Sequence, residues 1–341
     1  MKAVKILVIV VLFVNIAIAQ QKPHYTQYVL NNYIINPAVS GIENYTDIKF
    51  SHRHQWVGLD DAPLTTYFTA HTAIGKQDDK LTATSFAKDG ENIRGKSYWD
   101  EYQAAPAHHG VGLQIINDKT GPLQNFAAHA TYAYHIGLSP KANLSLGVGV
   151  GLSRISLNTS KLNFGPTTPI DPAVFGSNIL NKDNLDIDAG VFFYSDKFFV
   201  GLSALQLAPQ KIDFSNSAVK LTEGKKIPHI FATAGYRFLL NDDINVLPSI
   251  TAKVVSPAPV QIDANVKLQY QDLLWVGTNY RFKYGYSGFV GFNAFNKVNI
   301  SYAYDRTSTK LNTVSQGTHE VILGFTLGNK YSMNTCPSRV W

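Results

Sequence analysis

Residues Val260 to Gln271 alternate strictly. Val260, Ile262, Ala264, Val266, Leu268 and Tyr270 fall on one side of an extended chain, and Gln261, Asp263, Asn265, Lys267, Gln269 and Gln271 on the other. A repeat of two residues marks a strand with one apolar and one polar face. The pattern recurs along most of the chain in segments of roughly ten residues, the length that a tilted strand needs to cross a bilayer. It predicts an all-β transmembrane antiparallel barrel.

The first residues read as a processing signal. Lys2 and Lys5 precede an apolar run from Ile6 to Ile18, and Ala17-Ile18-Ala19 is an A-x-A cleavage site, so the mature chain is expected to begin at Gln20. The run is short for a membrane-anchoring helix, and no later segment approaches one. A mean hydropathy of -0.07 excludes a helical membrane protein but not a barrel, whose inner faces are polar. The lone cysteine, Cys336, excludes a small disulfide scaffold. The formal charge of +6 is spread along the chain and does not form a nucleic-acid surface.

Other alternating runs follow the same logic. Leu144, Leu146, Val148, Val150 and Leu152 oppose Ser145, Gly147, Gly149, Gly151 and Ser153. Tyr132, Tyr134 and Ile136 oppose His129, Thr131 and His135; Leu185, Ile187, Val191 and Phe193 alternate with Asp186, Asp188 and Gly190; Val298, Ile300, Tyr302 and Tyr304 oppose Asn299, Ser301 and Asp305. Further candidates near 45–52, 63–73, 108–117, 197–206, 228–239, 244–254, 272–282, 286–295 and 317–327 bring the expected total to about fourteen, an even number as bacterial single-chain barrels require. Slipping 260–271 by one residue would turn Lys267 and Asp263 into hydrocarbon, at about 2–4 kcal/mol for a midplane Lys. The polar set is therefore expected inside. Tyr194, Phe198, Tyr236, Phe238, Tyr280 and Phe282, near strand ends, are expected in the two interfacial girdles.

Connections alternate in length. Short turns are expected at Ser139–Lys141, Ser195–Lys197, Asn241–Asp243, Gln271–Asp272 and Asn296–Lys297, and longer links at 53–62, 156–183, 207–227 and 306–316. Barrels put short turns in the periplasm and long loops outside. Lys76–Pro106 is long yet falls on the periplasmic side, which implies an insertion or a strand count off by one there. The expected organisation is a signal peptide over 1–19, a periplasmic or plug-like segment over 20–44, a barrel over 45–327 and a periplasmic tail over 328–341. The segment Gln20–Gly41 is rich in Tyr, Asn and Pro; it suits an ordered plug, a cover on the periplasmic rim or a flexible lead-in. The tail ends in Trp341, which could dock on the barrel base or on periplasmic machinery, or hang free.

Chemistry is sparse. His52 and His54 share one strand face as a possible metal pair, but no third ligand lies near in sequence. His108 and His109 cannot share a face. Gly147, Gly149 and Gly151 lack the helix and basic residue of a phosphate loop and read as small lumen-facing residues that let the barrel bend or pack around a plug. Asp60-Asp61, Asp78-Asp79 and Asp242-Asp243 are neighbours, not an opposed acid–base pair. No G-x-S-x-G elbow occurs. No catalytic, cofactor-binding or metal-ligating residue is assigned.

A series of segments nevertheless stands in a distinctive order. It opens with His24-Tyr25-Thr26-Gln27-Tyr28, Asn36-Pro37-Ala38 and Gly41, then Arg53-His54-Gln55-Trp56-Val57-Gly58 and, after Ala62-Pro63, Ala70-His71-Thr72. Asn117-Asp118-Lys119-Thr120-Gly121-Pro122, Tyr132-Ala133-Tyr134-His135, Asp196-Lys197-Phe198, Val200-Gly201-Leu202-Ser203 and Ala234-Gly235-Tyr236 follow. Tyr302-Ala303-Tyr304-Asp305 and Gly317-Thr318-His319-Glu320 close it. Over nearly the whole mature chain this order resembles the PorP/SprF family of type IX secretion system membrane proteins; the stretch Lys76–Pro106 departs from the family's usual short connection. The resemblance implies a non-enzymatic barrel in the outer membrane of a Gram-negative bacterium of the Bacteroidota. It implies a role in the secretion or surface attachment of a cognate cargo with a C-terminal secretion domain, such as a gliding adhesin. Implied partners are outer-membrane lipid, that cargo and other secretion components, with no nucleic acid and no cofactor. A porin or solute-uptake channel is the alternative; a lipid-modifying barrel enzyme and a soluble β-sandwich are the further ones.

Overall fold

The computed structural model describes residues 25–76, 103–162, 179–210, 226–241, 243–271, 273–294 and 297–328. The wall begins with β1 (Thr46–His54), β2 (Leu64–Ile74), β3 (His108–Thr120), β4 (Leu123–Ser139) and β5 (Ala142–Asn158). It continues through β6 (Ile179–Ser195), β7 (Phe198–Leu205), β8 (His229–Tyr236), β9 (Phe238–Leu239) and β10 (Ile244–Val254). It ends with β11 (Gln261–Tyr270), β12 (Leu274–Arg281), β13 (Gly285–Ala294), β14 (Val298–Thr307) and β15 (Thr318–Leu327). β8 and β9 are one stave interrupted at Arg237, and both pair with β10. Every ladder is antiparallel between chain neighbours, and β15 returns to pair with β1. The result is a closed barrel of fourteen staves.

The two-residue period decides which side of the wall each residue occupies. Lys267 is 2% exposed and Asp263 6%, both inside, while Leu146, Val148, Val150 and Leu152 stand outside at 52–66% exposure. This arrangement keeps charge out of hydrocarbon and leaves an apolar outer belt. No helix among the described residues is long and apolar enough to cross a membrane.

Tyr194 corrects one expectation. It is buried inside the barrel, not in a girdle, and its hydroxyl meets His135 Nδ1 at 3.0 Å. It shares the face of Asp186, Asp188 and Phe192, as strand parity demands. Tyr236, Phe238, Tyr280 and Phe282 do project outward.

The links sort into two ends. The short turns at 140–141, 196–197, 240–243, 271–273 and 295–297 share the end where β1 begins, and so does the link between β2 and β3. β2 and β3 pair directly through eleven registered positions from Leu64↔Lys119 to Ile74↔His109, so the strand count there is sound. Most of the long intervening stretch (77–102) lies outside the described residues. The opposite end carries the longer links but also the two-residue turn Gly121–Pro122 and the short turn 282–284, so the alternation in length is incomplete. It is the extracellular end by the usual rule for barrels.

The lumen is filled by the chain's own start. Residues 25–45 lie inside the wall, folded into short 3-10 turns at Tyr28–Leu30, Asn32–Ile34 and Pro37–Val39. Tyr25, Tyr28, Val29, Tyr33, Ile34, Ile35, Val39 and Ile42 form an apolar core with Tyr67, Ile116, Phe192, Phe199, Leu247, Trp275 and Phe289 of the wall. The expected tail, with Trp341, falls outside the described residues after Gly328.

Candidate functional site

A segment without regular strand pairing must satisfy its backbone by other means when buried. Here the wall supplies the partners. Ser203 Oγ donates to Ile35 O (2.5 Å), Ser145 Oγ to Ala38 O (2.7 Å), Gln114 Nε2 to Tyr33 O (2.7 Å) and Lys76 Nζ to Ile42 O (2.6 Å). His135 Nε2 donates to Ser40 O (2.8 Å), and Gly41 N donates to His71 Nδ1 (3.3 Å). In the other direction, Asn36 Nδ2 donates to Val191 O (3.1 Å) while its Oδ1 caps the next turn by accepting from Ala38 N (2.9 Å).

Space for this backbone comes from glycines on the inner wall. A Cβ added at Gly110 would land on Ser40 O, one at Gly190 on the Asn36 side chain, and one at Gly147 among Ala38 N, Ala38 Cα and the Pro37 carbonyl carbon. Of the three glycines read as lumen-facing on β5, Gly147 alone meets the segment; Gly149 faces Asp188 and Gly151 faces the β4 backbone.

Toward the extracellular end the segment is held by charge. Arg53 on β1 donates through Nη1 to Glu320 Oε2 (2.9 Å) on β15 and through Nη2 to Asp305 Oδ2 (2.7 Å) on β14. Thr26 closes the cluster: its N–H donates to Glu320 Oε2 (3.0 Å), its hydroxyl to Asp305 Oδ2 (2.5 Å), and the same hydroxyl accepts from Arg53 Nη1. Two carboxylates around one guanidinium are tolerable inside the barrel because each is hydrogen-bonded. A second cluster ties a long link to the wall. Lys226 pairs with Asp186 and donates to Ser153 Oγ (2.7 Å), and His129 Nδ1 lies 2.7 Å from Asp188 Oδ2.

The residues weighed for chemistry are dispersed. His52 and His54 lie on the outer face, and His54 stands directly opposite His319. His108 points inward and His109 outward. Asp61 pairs with Lys161 at the loop surface, Asp78-Asp79 lie outside the described residues, and Asp242 does as well. One serine–histidine pair does form, Ser145 with His135 at 3.4 Å. Both hydrogens are already given to carbonyls of the buried segment, so the histidine presents no lone pair to the hydroxyl and the pair is not set up as nucleophile and base.

The contacts that sequence reasoning missed are carried by its own motifs. Thr26, Arg53, Asp305 and Glu320 belong to four of the segments in the series that runs from His24 to Glu320, up to 294 residues apart, and they converge in one cluster. His71, His135 and Ser203 come from three more, and all bond to the lumen segment.

A closed antiparallel barrel with an oily exterior, a polar lining and an occupied lumen is an outer-membrane β-barrel protein. The chain belongs to a particular family of such proteins: residues 17–325 match the family described as "Type IX secretion system membrane protein PorP/SprF". No curated protein matches the sequence significantly. Among solved structures, the toluene transporter TbuX of Ralstonia pickettii is similar with a TM-score of 0.48 at 10% identity, over 86% of this chain and 92% of TbuX. The outer membrane protein Omp33 of Acinetobacter baumannii gives 0.46 at 8% identity, over 84% and 100%. The Pseudomonas putida toluene transporter TodX gives 0.48 at 10%, over 87% and 93%. At these identities the likeness concerns fold alone.

Proposed function

We propose that this barrel is a non-enzymatic partner of the type IX secretion system that helps one cognate cargo reach or stay on the cell surface. Membership of the family supports the placement in that system. The observation that supports a partner over a porin is the occupied lumen: residues 25–45 lie within it, hydrogen-bonded to β1–β7, β14 and β15. A solute channel needs a continuous aqueous path, and this segment stands across it. The extracellular links, notably 156–183, 207–227 and 306–316, would meet the cargo.

Deleting the gene should remove one large surface protein from the cell envelope; unchanged display of every such protein would count against the role. Planar-bilayer recording decides the porin alternative. The intact chain should give no large steady current, and a chain lacking residues 25–41 should conduct. A large steady current from the intact chain would favour a channel.

A further inference from the structure

The extracellular end carries a cavity among the described residues. It lies above β12–β15 and measures about 550 Å³. Asn279 and Arg281 of β12, Ser287 of β13, Asp305 and Thr307 of β14, and Thr318 of β15 line it, with Arg53 reaching in from β1. Gln55, Trp56, Thr309, Lys310 and Leu311 form its rim. The two rim loops are fastened to each other: Val57 N donates to Gly317 O (2.8 Å), Gln316 N to Val57 O (2.8 Å) and Trp56 N to Thr318 Oγ1 (3.1 Å). Trp56 is held at φ 52, a backbone region that a bulky residue rarely adopts, so the loop keeps the indole at the mouth against its own preference.

The chemistry of this cavity is directional. Arg281 spends Nε on Asp263, at 3.1 Å from each carboxylate oxygen, and its terminal nitrogens have no partner among the described residues. Its side chain is 16% exposed, and it lines the cavity. Lys310 stands exposed at the rim, and its ammonium has no partner among the described residues. Amides and hydroxyls from Gln55, Asn279, Ser287 and Thr318 offer both donors and acceptors, and Trp56, Tyr284 and Leu311 offer apolar surface. A cavity of this size takes a drug-sized ligand, equivalent to a few residues of extended chain.

We propose that this vestibule binds the carboxylate-bearing end of an extended polypeptide arriving from outside, with Arg281 and Lys310 as the anion contacts. A planar guanidinium with free terminal N–H groups matches a carboxylate. Side chains that offer both donors and acceptors suit a peptide backbone, and the aromatic rim suits its side chains. The inference rests on the cargo-partner reading above, since secreted cargo would supply such a chain end.

The test uses the full chain in detergent, with folded protein confirmed by heat-modifiable gel mobility. Calorimetry compares acetyl-tetraalanine with a free C-terminal carboxylate, the same peptide as its amide, and galacturonic acid. The free acid should bind saturably and the amide at least tenfold more weakly. Arg281→Gln should weaken the acid at least tenfold and Lys310→Gln several-fold. Asp263→Asn, which breaks the same ion pair but keeps the guanidinium, should retain binding. Equal binding of acid and amide, binding of galacturonic acid alone, or no saturable binding would each overturn the proposal. So would equal loss in Arg281→Gln and Asp263→Asn, which would mark a structural ion pair. If Arg281→Gln does not fold, Lys310→Gln and the cavity-filling Thr307→Trp decide: wild-type affinity in both overturns the site. In cells, a deletion strain that loses a surface protein beside an Arg281→Gln/Lys310→Gln strain that keeps it would overturn the vestibule and leave the cargo role standing.

Discussion

Gly147→Ala puts the packing of the lumen to a direct test. The added methyl would fall 2.6 Å from the Pro37 carbonyl carbon and nearer still to Ala38 N and Cα. These are backbone atoms, fixed by Ser145 Oγ on Ala38 O and by Asn36 Nδ2 on Val191 O, so they cannot swing aside as the tip of a long side chain would. Overpacking of this kind costs about 1–3 kcal/mol. At about 2 kcal/mol the unseated fraction of the segment rises about thirtyfold. Gly149→Ala is the matched control: it is on the same strand and inner face, but the nearest atom to its methyl is Asp188 Cβ at 3.2 Å, a contact that is relieved by a movement of a few tenths of an ångström. The reporter is a cysteine in place of the fully buried Ser40, in a Cys336→Ser background because Cys336 is the one native cysteine. When opening and closing are fast, the rate of labelling by a water-soluble maleimide follows the open fraction. Labelling should rise about thirtyfold in Gly147→Ala, on the same estimate, and change little in Gly149→Ala. The reasoning fails if all three proteins label alike, and fast labelling of the parent would mean that the segment is not seated in the lumen.

Removing the central cation should be costly. Arg53→Met leaves Asp305 and Glu320 facing each other in the lumen, and breaking a buried charge cluster costs about 3–5 kcal/mol; urea unfolding should show it, and adding Glu320→Gln should recover much of it, which a purely steric defect would not allow. Val148→Arg, on the outward face at 54% exposure, should cost up to about 2–4 kcal/mol in bilayers if it lies near the midplane; an unchanged urea midpoint would deny that this face meets hydrocarbon. Asp196 sits buried in a short turn, where burial raises its pKa against the opposing pull of Lys197 and Lys141. The native state therefore holds that proton to higher pH than the unfolded chain, so the charged form weakens the fold at neutral pH and the penalty fades on acidification. Asp196→Asn should raise the unfolding midpoint at pH 7 and raise it less at pH 4; a gain that grows on acidification would reverse the assignment.

The wall is legible in the sequence because lipid enforces its code. Any one-residue slip exposes Lys267 or Asp263, so the alternation survives undiluted and the strand read at 260–271 is observed at Gln261–Tyr270. Tyr194 is misplaced when position near a strand end is allowed to outweigh parity, although the alternation through Asp186 and Asp188 already turns it inward. The contents of the lumen are harder to read. Tyr25–Ile42 has no hydrophobic period because its 3-10 turns are short and its partners surround it, so no face is set aside for water. Its partners are also remote, with Thr26 bonded to Glu320 across 294 positions. One local signal is present: glycines at inward positions of neighbouring strands (Gly110, Gly147, Gly190) mark where another backbone must approach.

The motif series takes on a single physical meaning once the lumen is seen. A barrel of fourteen staves encloses more space than its inward side chains fill. Leaving that space to water would make a channel, and filling it requires a polar segment whose every carbonyl finds a donor. Arg53, His71, His135, Ser145 and Ser203 supply donors or acceptors to that segment, and Gly110, Gly147 and Gly190 supply its clearance. Seven residues of the motif series, Thr26, Arg53, His71, His135, Ser203, Asp305 and Glu320, therefore help to keep the lumen occupied. Among the described residues, Arg281 and Trp56 make no hydrogen bond to the lumen segment. Arg281 keeps guanidinium nitrogens in reserve, and Trp56 holds a strained backbone at the mouth. Such features cost stability or leave bonding capacity unused, and they are explained more simply by something that arrives from outside than by anything the barrel needs for itself.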